Sequence, residues 1–96
     1  MLNGYSTQLQ VQLIKQGRHV VAYSPALDIS TSGKNMSQAK KRFHELAHIF
    51  IKEINDAGTA DDVLSELGWT KHAKQKNWMP PVVASANVGI NVPVTA

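Results

Sequence analysis

Residues 35–58, NMSQAKKRFHELAHIFIKEINDAG, carry the longest regular pattern of the 96-residue chain. At a helical step, Met36, Ala39, Phe43, Leu46, Ala47, Phe50, Ile51 and Ile54 share one broad sector, with Lys41, Glu45, Lys52 and Glu53 outside it. That is an amphipathic helix with one face in a core. Asn35 is placed to cap its start with Gln38 three residues on, and Gly58 is suited to the left-handed residue that ends it. The helix is expected over about 36–57.

The residues before the helix alternate. Tyr5, Thr7, Leu9, Val11 and Leu13 oppose Ser6, Gln8, Gln10 and Gln12, which predicts a half-buried strand over about 5–15. Gln16-Gly17 supplies turn chemistry, a second strand runs over about 18–24, and Pro25 ends it for want of an amide donor. A bend leads to a short third strand at about 29–32.

After the long helix, Thr59-Ala-Asp-Asp predicts a second helix over about 60–67, with a hydroxyl cap and acids at the positive end of the dipole. Val63, Leu64 and Leu67 face inward, and Gly68 is the expected left-handed stop, which sets Trp69 back onto Leu64. Residues 70–81 lose periodicity and are read as a basic loop, while 82–94 alternate again and are read as an edge strand, open to exchange with another subunit. The expectation is one α+β domain over 1–96, an antiparallel sheet packed on one long and one short helix in the order ββ-β-α-α-β.

Ninety-six residues accommodate one core shared by every element. Ten Lys and Arg against seven Asp and Glu leave a charge of +3, which permits an acidic partner without demanding one. The absence of cysteine excludes disulfides, thiolate nucleophiles and Cys-based zinc sites. No signal-peptide pattern and no long apolar run is present, so a soluble cytoplasmic protein is expected.

The string VVAYSPALDISTSGKNMSQAKKRFHELAHIFIKEI from Val20, with GTADDVLSELGW after it, resembles the HicB-like antitoxin family over most of the chain. The resemblance rests on Ala-Tyr-x-Pro-Ala-Leu-Asp at 22–28, Gly33 before the helix, Ser37 and Ala39 at its start, and Leu-Gly-Trp at 67–69. It implies a partial RNase H-like fold without that enzyme's carboxylate set. It also implies a non-enzymatic role, the neutralisation of a small HicA-type mRNA-cleaving toxin by covering its active surface. No helix-turn-helix or ribbon-helix-helix pattern of the kind many members carry follows Trp69.

Three sets of residues are candidates for function. Tyr23, Pro25, Leu27 and Asp28 could shape a partner-binding edge where the second strand gives way to the bend; equally, Pro25 ends a strand and Leu27 anchors the bend. Lys71, Lys74, Lys76 and Trp78 could contact nucleic acid, lysines on phosphates and indole on a base, or form an ordinary solvated loop with Trp78 against the core. His44-Glu45-Leu46-Ala47-His48 matches HExxH, so His44 and His48, with Glu66 as third ligand, could hold zinc for a peptidase, or be two rim histidines of a charged helix. No nucleophile with a base and no phosphate-cradling glycine loop is found. The residues favour a cofactor-free binding protein over an enzyme, with a second copy of itself as a partner, and the resemblance implies a HicA-type toxin protein as another.

Overall fold

The computed structural model describes residues 7–72, 74 and 77–95. Strands β1 (Gln12–Gln16), β2 (His19–Ser24) and β3 (Ile29–Gly33) form one antiparallel sheet in the order β1-β2-β3. Helix α1 (Met36–Asp56) packs on it, helix α2 (Ala60–Glu66) follows, and β4 (Thr70–Lys71) pairs with β5 (Trp78–Met79). The α+β architecture expected from the sequence is present. A short hairpin stands where a basic loop was expected over 70–81, because Lys71 and Trp78 come into register.

Two expected strands differ. The alternating stretch at 82–94 forms no strand; among the described residues no strand lies beside it to complete a ladder. The first strand begins only at Gln12, which pairs with Tyr23, because Pro25 and the bend end β2 one residue later and leave 7–10 beyond the end of β2. Tyr5 and Ser6 lie outside the described residues.

The pleat puts Leu13, Val20, Ala22, Thr31 and Gly33 on the helix side and Gln12, Ile14, Val21, Tyr23, Ser30 and Ser32 on the other. At about 1.5 Å per residue, the 21 residues of α1 span about 32 Å, far beyond a six-residue strand at about 3.3 Å per residue. The core is therefore built in two parts. Val20, Ala22, Ala39 and Phe43 join the sheet to the first half of α1. Ala26, Leu27, Ile54, Leu64 and Trp69 join the bend and α2 to its second half. Leu9, Ile29 and Ala47 pack against both. This narrow cover explains why Met36 and Ile51, expected on the buried face, are 54% and 40% exposed.

The caps follow the sequence with two local differences. Asn35 accepts from the Gln38 amide at 2.8 Å, while the Gln38 side chain accepts from Lys34 N at 2.7 Å, one residue before the cap. Gly58 at φ +72 ends α1. The Thr59 hydroxyl, expected to cap α2, donates back to the Ile54 carbonyl at 3.3 Å and makes no side-chain cap bond. Gly68 at φ +93 closes α2, with Trp69 N donating to Leu64 O at 2.9 Å and Gly68 N to Ser65 O at 3.1 Å. These are the paired bonds of a Schellman motif, and Leu64 and Trp69 meet in the core as that motif requires.

At Gly33 the backbone of β3 lies close against the first turn of α1. A Cβ there would stand 2.6 Å from the Ala39 backbone nitrogen, a contact no side-chain rotation relieves. Gly33→Ala is expected to cost about 2 kcal/mol through forced separation of β3 and α1, against about 1 kcal/mol for the exposed helix substitution Lys40→Gly. Urea unfolding of both variants checks this; a Gly33→Ala protein as stable as the parent would mean that the two elements pack with slack.

Candidate partner-binding site

The bend between β2 and β3 is held from behind. Ala26 and Leu27 are each 2% exposed, and the indole Nε1 of Trp69 donates to the Ala26 carbonyl at 2.8 Å in a buried hydrogen bond. Leu27 is therefore a core anchor that a partner does not reach, and of the four residues singled out for an edge it belongs to the interior. Ser24, also buried, has a hydroxyl oxygen without a hydrogen-bond partner.

On the solvent side the bend displays chemistry. Asp28 sits at φ 54, the one non-glycine residue with positive φ among the described residues, a conformation that aspartate tolerates better than most. Its amide donates to the Ser24 carbonyl at 2.8 Å, which closes the turn. Its carboxylate accepts from the Tyr23 phenol at 3.0 Å. Tyr23 stands between Gln12 of β1 and Ser30 of β3 on the outward face of the sheet, with Pro25 half-buried beside it. Asp28 is the sole acid among the first 44 residues. The arrangement is a fixed carboxylate with an aromatic neighbour at the end of an uncovered sheet face, suited to receiving a cationic side chain.

The other two candidate sets are differently placed. Lys71 stands 3.7 Å from Asp61 and lies over the Trp78 ring at 5.6 Å, while Trp78 packs against the core. That ring is engaged within the chain, which leaves less of it for a nucleic-acid base. Lys74 is exposed, and Lys76 lies outside the described residues. His44, Glu45 and His48, with Ile49, border an open surface depression of about 380 Å³ on α1. Glu66 is exposed on α2, and among the described residues no group of three or more His, Cys, Asp or Glu is placed to hold a metal ion. Glu66 is thus not brought to the two histidines as a third ligand.

Two features were not read from the sequence. The Trp69–Ala26 bond spans 43 residues and has no local signal beyond a tryptophan at the position after a helix-stopping glycine. Arg42 donates from Nη1 to the Ser32 carbonyl at 3.0 Å and ties α1 to β3, which no local pattern signals. Among the described residues no helix is long and apolar enough to cross a membrane. Comparison with protein-family models, curated proteins and solved structures finds no match for this chain.

The Tyr23–Asp28 pair makes a titration prediction. The hydrogen bond to Asp28, then partial burial and the carboxylate charge, raise the Tyr23 phenol above the ordinary 10.0. A group raised on folding stabilises the fold fully below its unfolded value and loses that contribution as pH rises through the folded value. The pair is therefore intact at neutral pH and opens in the alkaline range. Ultraviolet phenolate titration is expected to show one tyrosine ionising late and to bring it back toward 10.0 in Asp28→Asn; an unchanged curve would mean that the pair is not formed in solution.

Proposed function

We propose that this chain is a HicB-like, antitoxin-type binding protein that neutralises a small HicA-type mRNA-cleaving toxin by masking its active surface, with Tyr23, Pro25 and Asp28 at the contact. The observation that carries the reading is the bend itself. A short turn is anchored by a buried indole and a buried leucine, and on its outer side an aspartate is held in a left-handed conformation against a tyrosine. Backbone kept in a sparsely populated region by surrounding structure is a common property of binding sites.

The chemistry suits the target class. An enzyme that cleaves RNA holds phosphates with cationic side chains. A carboxylate already fixed in place pairs with such a cation at a smaller ordering cost than a mobile one, and a tyrosine beside it supplies rigid contact area. The sheet face around it is open, with Gln12, Ser30 and Ser32 exposed and Ile14 and Val21 between them. The nucleic-acid reading has less support because Lys71 and Trp78 engage each other, and the zinc-peptidase reading has less because Glu66 does not join His44 and His48.

The test is expression of the open reading frame adjacent to this gene, alone and with the full chain. The neighbour's product is expected to be a short basic protein that degrades mRNA and arrests growth, with growth restored by co-expression. Asp28→Asn, which keeps a residue tolerant of the left-handed region, is expected to weaken the complex about tenfold, equivalent to about 1.4 kcal/mol. Full neutralisation by both Asp28→Asn and Tyr23→Ala would exclude the bend as the contact, and a neighbour without ribonuclease activity would count against the antitoxin role.

A further inference from the structure

All seventeen charged residues of the chain lie between Lys15 and Lys76; residues 1–14 and 77–96 carry none. Within those uncharged regions, 7–11 and 82–94 alternate in the strand period, and among the described residues neither is paired in a sheet. Charge is the usual means by which natural proteins discourage an exposed alternating segment from pairing with another chain, and both segments lack it.

We propose that residues 82–94 form an arm that adds as a fourth strand to the β1 edge of a second copy of the chain, along residues 7–16, in a reciprocal exchange. Three observations favour this edge and this occupant. First, α1 packs most extensively against β3, less against β2 and least against β1, and the inward residues Leu9, Val11 and Leu13 are only partly covered. The arm brings a row of its own, Val82, Ala84, Ala86, Val88, Ile90, Val92 and Val94, of which Val88, Ile90 and Val92 are 79, 78 and 72% exposed. Laid beside β1, that row continues the layer beneath Leu9, Val11 and Leu13.

Second, the opposite edge is already engaged. Arg42 donates to the Ser32 carbonyl of β3, whereas no side chain bonds to a β1 backbone group among the described hydrogen bonds. Third, the arm has reach and starts in a fixed direction. Pro81 packs against Gly68, where its Cβ lies 3.2 Å from the position a Cβ would take, and Pro80-Pro81 sets an extended course out of the hairpin. Thirteen residues at about 3.3 Å each reach about 43 Å, so ten of them can pair along 7–16 while three, about 10 Å, cross between the two molecules.

A second copy suits the arm better than a cationic ribonuclease does. An arm that wrapped a basic surface would need acids, and this one has none. Two copies at +3 each repel through their charged middles, while the uncharged arm and residues 7–14 meet without that cost, with Lys15 the one charge along the edge. The inference is independent of the toxin-binding reading, since the bend at Tyr23–Asp28 lies on the outward face and not along the β1 edge.

The experiment is sedimentation equilibrium of the full chain at micromolar concentration, with amide hydrogen exchange on the same samples and no partner added. Wild type is expected at twice 10.5 kDa, with amides in both 7–11 and 82–94 protected. The full-length double variant Val88→Lys, Ile90→Lys is expected to sediment as a 10.5 kDa monomer, with exchange in both segments rising to that of an unstructured chain and helix protection unchanged. A monomeric wild type, a dimer that survives the double variant, or protection of the arm without protection of 7–11 would each overturn the proposal.

Discussion

The indole of Trp69 donating to the Ala26 carbonyl is the interaction on which the rest of the structure depends. It joins the end of α2 to the bend between β2 and β3 across 43 residues, and so closes the second half of the core around Leu27, Ile54 and Leu64. A buried carbonyl left without its donor costs about 1–3 kcal/mol, a sizeable share of the stability of a small domain. The bond is set up locally. The left-handed Gly68 turns the chain, Trp69 falls back on Leu64, and the ring is then directed at the bend. A two-turn helix too short to persist alone becomes the clamp on a turn it never meets in sequence.

That clamp explains how an irregular segment comes to present side chains at fixed positions. Ala26 and Leu27 point into the core and are immobilised there, so Pro25 and Asp28 on either side inherit their rigidity. Asp28 is then held in a conformation that costs an L-residue about 1–2 kcal/mol, offset in part by its amide bond to Ser24 and its acceptance of the Tyr23 phenol. The sheet contributes Tyr23 from its central strand and leaves its outward face uncovered. Surface and support thus come from different elements, and the core packing connects them.

Features set by neighbouring residues were legible in the sequence. The period of α1, the stop at Gly58, the break at Pro25 and the Schellman closure at Gly68 are local, and each stands where the residue pattern puts it. What alternation could not reveal was whether another strand lies opposite. Residues 7–11 and 82–94 have strand pattern without strand pairing, because a ladder belongs to two segments and pattern belongs to one. Met36 and Ile51 departed from their expected burial for a related reason, since the width of the sheet beneath a helix cannot be read from the helix. At the site, Tyr23, Pro25 and Asp28 were identified as a possible edge, while the assignment of Leu27 to the interior awaited its packing against Trp69 and Ile54.

In the function proposed above, the clamped bend is the surface that meets a partner. The most direct measurement is the footprint of the proposed ribonuclease partner on this chain, read from backbone amide chemical shifts of the labelled full-length protein. If the bend is the contact, the largest changes cluster at Tyr23, Ser24, Ala26 and Asp28 and extend over Gln12 and Ser30 on the outward sheet face. A footprint centred on the β4–β5 hairpin around Lys71, or on the α1 surface around His44 and His48, with the bend unchanged, would contradict it.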